Sequence, residues 1–295
     1  VLTSHILLML IHFMFTGRAA PLCALLLHVA QAARVVDQTK RWSALSKLEQ
    51  YQEAAKYARA AYTETGKYAE AAILVERYHK SSHLECVVSI RGTSDIRDWV
   101  YNLRAWTNDV QEWKIHAGFF DKINKLVKDD AKTFDSLQRR CSVLIMIGHS
   151  LGGSMATIYA ALARSWKMKK VDYLYTFGAP AISKTPLYHT GITCFPGARF
   201  FNFDSDREYD IVPNFAQRFD YVHPLTTAIQ LKQSRLPSGE EVYDKVIYEC
   251  SSNKTWRLPQ AITDTEFELD LALVGDALKF HRTLMYIDRL EHIKL

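Results

Sequence analysis

The run Ser142-Val143-Leu144-Ile145-Met146-Ile147-Gly148-His149-Ser150-Leu151-Gly152-Gly153 constrains this chain more than any other stretch of it. An apolar segment of strand length enters a Gly-x-Ser-x-Gly pentapeptide, and residues 151–166 follow with helical spacing and many small side chains. A turn this sharp leaves no room for bulk two residues before or two after the serine. Gly148 and Gly152 meet that requirement, and Gly153 lets the helix approach the sheet closely. The Ser150 hydroxyl is then exposed at a helix N-terminus, where developing negative charge is favoured. The pentapeptide alone is a weak signal. Its setting, strand before and helix after, makes it a candidate nucleophile elbow.

Such an elbow needs a sheet, and the rest of the chain supplies the pattern for one. Residues 42–63 carry Leu45, Leu48, Ala55, Ala58 and Tyr62 at helical spacing, which predicts a surface helix. Residues 71–78 and 84–90 flank a polar Lys80-Ser81-Ser82 turn and read as adjacent strands. Residues 119–137 are helical in character, while 171–177, 198–203 and 242–248 read as further strands. Apolar strands separated by helices predict an α/β fold with a mainly parallel central sheet flanked by helices. With no repeat or low-complexity linker, residues 34–295 form one domain. Residues 1–33 differ: two apolar pieces, 6–15 and 22–33, surround Gly17-Arg18-Ala19-Ala20-Pro21. Each is too short to span a bilayer, and together they read as a secretory signal or anchor, implying secretion or membrane association.

A serine nucleophile needs a base, and the base an orienting carboxylate, following the serine in the order Ser, Asp, His. Asp210, in Tyr209-Asp210-Ile211-Val212-Pro213 just past a strand, is the favoured carboxylate; Asp204 and Asp206 compete but read as solvated loop residues. Among His223, His281 and His292, the favoured base is His281, at the start of a helical pattern after the last strand. An oxyanion needs preorganised donors. The backbone N–H of Leu151 is one, and Thr93 in Arg91-Gly92-Thr93 is placed to be the other.

Composition narrows the partners. Of the 295 residues, 48% are hydrophobic and 23% charged, which excludes a disordered chain. The net charge of +5 is spread thinly; Lys167-Met168-Lys169-Lys170 reads as a solvated helix end, so no nucleic-acid partner is expected. The five cysteines are far apart and spell neither a zinc knuckle nor a dense disulfide scaffold. Cys86 and Cys141 lie in apolar strand-like runs and read as buried thiols, whereas Cys194 and Cys250 pair if the compartment is oxidising. No metal, nucleotide or prosthetic-group signature is present, so no cofactor and no metal are expected.

Over residues 43–286 the chain resembles the class 3 lipases, the fungal-lipase-like family of α/β-hydrolases. Its landmarks occur in the family's order. Ile90-Arg91-Gly92-Thr93-Ser94-Asp95-Ile96-Arg97-Asp98-Trp99 looks like the oxyanion strand end leading into a lid, and Ile115-His116-Ala117-Gly118-Phe119 like the V-H-x-G-F element. Gly148 to Gly153 matches the elbow, Thr176-Phe177-Gly178-Ala179-Pro180 the F-G-x-P turn, and Asp210-Ile211-Val212-Pro213 the D-x-V-P acid. The resemblance implies an α/β-hydrolase fold, a triad of Ser150, Asp210 and His281, and an oxyanion hole of Thr93 and Leu151. It makes His116 and His149 structural, one positioning the oxyanion loop and the other supporting the elbow. It also implies a lid whose apolar face carries Ile96, Trp99, Val100 and Leu103. Three features depart from the family: Phe280 stands where Asp often precedes the histidine, the spacing from His281 to Tyr286 is looser, and 225–278 is longer than in short secreted members. The expected activity is that of a triacylglycerol lipase acting through an acyl-enzyme on Ser150, on lipid esters at a membrane or emulsion surface. Phospholipase A1 and feruloyl-type esterases use the same constellation, and a silent scaffold would keep only the fold.

Overall fold

The structure is a computed structural model and describes residues 40–63, 72–80, 82–92, 107–205 apart from 190 and 192, 208–251 apart from 211, and 281–293 apart from 282. The chain divides into two units, Val1–Thr39 and Lys40–Leu295, and the described residues all belong to the second. The signal or anchor expected over 1–33 therefore lies outside the described residues.

The sheet grows outward from its most apolar strands. β2 (His83–Ile90) and β5 (Val143–His149) are buried almost throughout, as strands covered on both faces must be. They pair in parallel, and β6 (Tyr173–Phe177), β7 (Phe195–Ser205) and β9 (Thr226–Arg235) extend the parallel run. β1 (Ala72–Lys80) and β10 (Glu241–Tyr248) close the two edges antiparallel, giving the order β1-β2-β5-β6-β7-β9-β10. The short β8 (Glu208–Tyr209) pairs with β7, and β3 (Thr107–Val110) forms a separate hairpin with β4 (Trp113–His116). The sequence reading included neither β9 nor this hairpin.

Helices cover both faces. The 42–63 segment becomes a 3-10 turn, Trp42–Ala44, and helix α1, Lys47–Thr63. Trp42 and Tyr51 meet Tyr175 and Phe200, with ring centroids 5.5 and 5.1 Å apart. On the same face, Tyr286 of α6 (Thr283–His292) stands edge-on to Phe177. The segment before α1 is tied down by Glu85, whose carboxylate accepts from the Trp42 N–H and pairs with the buried Arg77 guanidinium. On the other face Val88, Leu144, Met146 and Leu174 share a core with Met155 and Ile158 of α4 (Leu151–Leu162) and Phe119 and Ile123 of α2 (Ala117–Asp129). The helix expected over 119–137 breaks at Asp130, and α3 (Ala131–Arg140) follows. Two consecutive aspartates at a helix C-terminus oppose the helix dipole there.

The cysteine reading needs one correction. Cys86 and Cys141 are not thiols but a disulfide, with Cα atoms 5.8 Å apart. Parallel pairing sets Cys86 opposite Leu144, so the residue two before β5 falls beside it, a juxtaposition that only the tertiary register creates. Cys194 and Cys250 are bonded as well, pinning the start of β7 to the end of β10. Cys23 lies outside the described residues.

Candidate active site

The end of β5 turns into α4 at Ser150, whose backbone sits at φ 56° and ψ −131°. This is a costly conformation for a residue with a side chain, on the order of 1–3 kcal/mol, and the surroundings enforce it. The Ser150 N–H donates to the Phe177 carbonyl on β6 at 2.8 Å. A Cβ on Gly148 would lie 2.3 Å from the Gly152 oxygen, and one on Gly152 would lie 2.0 Å from the Ile90 oxygen. The turn thus closes only with glycine at both positions. As the first residue of α4, Leu151 has an N–H with no acceptor inside the helix.

Asp210 follows β8, its own N–H held by the Asn202 carbonyl at 2.9 Å. The carboxylate is fully buried and gathers donors from three directions. The Val212 N–H reaches Oδ1 at 2.9 Å, in the manner of a helix N-cap for the short α5 (Val212–Phe215). The Tyr286 hydroxyl donates to Oδ2 at 2.5 Å. The His281 Nδ1 lies 2.9 and 2.8 Å from Oδ1 and Oδ2. Gly178, at φ 56°, makes space for this pair: a Cβ there would stand 2.6 Å from Oδ2 and 2.9 Å from the His281 ring. Burial, then the Asp210 charge, pushes the Tyr286 hydroxyl well above its ordinary pKa, so it stays a donor.

His281 lies just before α6, at the loop–helix junction expected for it. Its Nε2 and the Ser150 Oγ are both buried and meet no hydrogen-bond partner among the described residues. Of the competing groups, Asp204 and His292 are engaged elsewhere. Asp204, expected as a solvated loop carboxylate, instead forms a bidentate pair with the fully buried Arg289 and accepts from the Gln233 N–H at 2.6 Å. His223 is enclosed, and burial together with the nearby Arg199 guanidinium holds its pKa well below 6.5. His292 ends α6, its ring stacked on Tyr243. Asp206 lies outside the described residues.

His149 is also buried. Its Nε2 lies 2.6 Å from the His281 carbonyl oxygen, its Nδ1 lies 2.7 Å from the Tyr62 hydroxyl, and its ring faces that of His281 at 4.6 Å. Burial first, then the His281 ring, holds its pKa well below 6.5. His116 caps α2 by accepting the Gly118 N–H at 3.1 Å; the loop it was expected to position, with Thr93 and the lid residues Ile96, Trp99, Val100 and Leu103, lies outside the described residues. Sequence reasoning missed Tyr286, whose only signal was its place five residues after His281, and Gly178, seen only as part of a turn. Among the described residues, no group of three or more His, Cys, Asp or Glu side chains is arranged to hold a metal ion.

A mainly parallel sheet flanked by helices, with a strained serine between strand and helix and a buried Asp–His pair, is the arrangement of an α/β-hydrolase fold. Residues 87–219 match the model of the family described as lipase (class 3). A secreted mono- and diacylglycerol lipase of Fusarium solani is 31% identical over 103 residues, covering 33% of this chain and 30% of that relative's length. Among solved structures, a fungal lipase is 17% identical with a TM-score of 0.50, covering 82% of this chain and 95% of that one. A deletion mutant of the Rhizomucor miehei lipase propeptide complex is 24% identical with a TM-score of 0.47, covering 70% and 73%.

Proposed function

We propose that this protein is a serine carboxylic-ester hydrolase acting on acylglycerols, with Ser150 as nucleophile, His281 as general base and Asp210 as its orienting carboxylate. One observation carries the reading. Ser150 Oγ and His281 Nε2, the two atoms that must exchange a proton, are buried without partners among the described residues, while His281 Nδ1 is held by Asp210. With its Nδ1–H committed to Asp210, His281 keeps a lone pair on Nε2.

The reaction follows from that arrangement. Ser150 Oγ attacks the acyl carbonyl as His281 Nε2 takes its proton. The tetrahedral oxyanion is met by the Leu151 N–H and by Thr93. His281 returns the proton to the leaving glycerol oxygen, and an acyl-enzyme remains. Water then attacks, His281 again acting as base, and the fatty acid departs. Asp210 keeps its charge throughout, favouring the imidazolium that forms twice per cycle.

Acylglycerol as the ester is supported by the Fusarium relative, a secreted mono- and diacylglycerol lipase. Triacylglycerol at an emulsion surface is the substrate a lid bearing Ile96, Trp99, Val100 and Leu103 would serve. Secretion, with residues 1–33 as signal or anchor ahead of the hydrolase domain, is supported by the two disulfides, which persist in oxidising compartments.

The test compares emulsified long-chain triacylglycerol, monoacylglycerol and a soluble short-chain ester, for wild type and Ser150→Ala. Hydrolysis of the acylglycerols that disappears in the variant supports the proposal. Activity on the soluble ester alone moves the substrate to small esters and removes the lid argument. Activity on phospholipid but not acylglycerol makes the protein a phospholipase.

A further inference from the structure

The hydroxyl of Tyr62, in the last turn of α1, joins three parts of the site that the sequence keeps far apart. The Gly92 N–H, at the end of β2, donates to it at 2.9 Å. The same hydroxyl lies 2.7 Å from His149 Nδ1, and His149 Nε2 lies 2.6 Å from the carbonyl oxygen of His281. The direction of each bond is dictated. A carbonyl only accepts, so Nε2 must carry a proton. His149 is enclosed and uncharged, so Nδ1 is an acceptor and Tyr62 must donate to it. The tyrosine oxygen is then left to accept from Gly92. The chain therefore runs one way, Gly92 N–H to Tyr62 to His149 to the His281 backbone.

Each end of this chain touches a moving part of the proposed chemistry. Gly92 is pressed against the elbow, where a Cβ would stand 2.6 Å from the Tyr62 oxygen and 2.8 Å from Ser150 Cβ. It immediately precedes Thr93. His149 immediately precedes Ser150, and its ring faces the His281 ring. The side chain of His281 is fixed at Nδ1 by Asp210, but that bond alone leaves the residue free to pivot about it. The bond from His149 fixes the backbone as a second point, so that Nε2 is aimed.

We propose that Tyr62 and His149 are positioning residues, which hold the base, the nucleophile turn and the oxyanion strand end in register through one hydrogen-bond chain. The proposal rests on the assignment of Ser150 and His281 above. It also gives α1 a purpose beyond covering the sheet.

The test uses the full chain, a soluble p-nitrophenyl ester for kcat and KM, and an alkyl p-nitrophenyl phosphonate that phosphonylates the active serine. Tyr62→Phe removes one oxygen and keeps the ring. It is expected to lower kcat and the phosphonylation rate roughly tenfold with KM within about twofold, since one buried positioning bond is lost. His149→Leu is expected to lose at least as much. His149→Gln is expected to recover most of it, because an amide can donate to the His281 carbonyl and accept from Tyr62. The double variant Tyr62→Phe/His149→Leu is expected to be no slower than the worse single one, since both break the same chain. Should His149→Leu fail to fold, nitrogen NMR of the wild-type imidazole reads the tautomer directly, and a proton on Nδ1 would overturn the proposal. Rates for Tyr62→Phe within twofold of wild type, with Ser150 still phosphonylated, would overturn it while leaving the triad intact. No phosphonylation of Ser150 in the wild type would overturn the triad, and this inference with it.

Discussion

Replacing Asp210 by Asn exchanges a carboxylate oxygen for an amide NH2 in a site crowded with donors. At the Oδ1 position the new N–H would confront the Val212 N–H, now 2.9 Å away, and a backbone donor cannot reverse. The amide nitrogen therefore takes the Oδ2 position, where the Tyr286 hydroxyl can rotate to accept from it. There it also faces His281 Nδ1 at 2.8 Å. An N–H at that distance is best met by a ring lone pair, which puts the imidazole proton on Nε2, the atom that must accept from Ser150. The charge that favours the imidazolium is lost as well. The expected fall in kcat is a thousand- to ten-thousand-fold, about 4–5.5 kcal/mol of barrier. Asp204→Asn is the matched control. It weakens the pair with buried Arg289, and unfolding is expected to become easier by about 3 kcal/mol. The activity of its folded molecules should remain within about threefold of wild type. The assay is soluble-ester turnover per folded molecule, with thermal unfolding of each preparation. Asp210→Asn retaining more than a tenth of wild-type kcat, or Asp204→Asn losing as much as it does, would refute the assignment of the acid.

Two further outcomes follow from the same geometry. Gly178→Ala places a methyl 2.6 Å from Asp210 Oδ2 and 2.9 Å from the His281 ring, at φ 56°; kcat is expected to fall about a hundredfold with KM little changed, and a near-normal kcat would contradict the packing described. His149 and His223 are both held neutral by burial, so below the unfolded-state value near 6.5 the unfolded chain binds protons that the folded one refuses. Stability is therefore full above that value and declines as pH falls below it. The expected loss between pH 7.5 and 5.5 is about 2–3 kcal/mol by denaturant titration, and equal stability at the two pH values would refute it.

What the sequence made legible was what short-range chemistry writes locally. The elbow lies within a dozen consecutive residues, and its glycines answer to contacts made inside the same turn or with the neighbouring strand end. Asp210 just past a strand and His281 at the start of a helical pattern were chosen by local setting among rivals of the same chain order, and the structure brings those two side chains together. The features that escaped depend on partners distant in sequence. Asp204 looks solvated until Arg289 arrives from 85 residues away. Cys86 and Cys141 look like core thiols until β2 and β5 pair in register. β9 escaped because Gln230 and Gln233 interrupt its apolar pattern; inside the fold Gln230 bonds the Phe203 carbonyl and the Tyr248 hydroxyl, and the Gln233 N–H bonds Asp204. The looser spacing between His281 and Tyr286 read as a departure. In the structure Tyr286 still reaches Asp210 across it.

The most direct measurement is mass spectrometry of the protein after reaction with the phosphonate, with peptides mapped across the chain. The expected result is one phosphonyl group per molecule, carried by Ser150, with ester hydrolysis lost in proportion. Loss of hydrolysis with Ser150 unmodified, or full hydrolysis by Ser150→Ala, would contradict a nucleophile at this elbow.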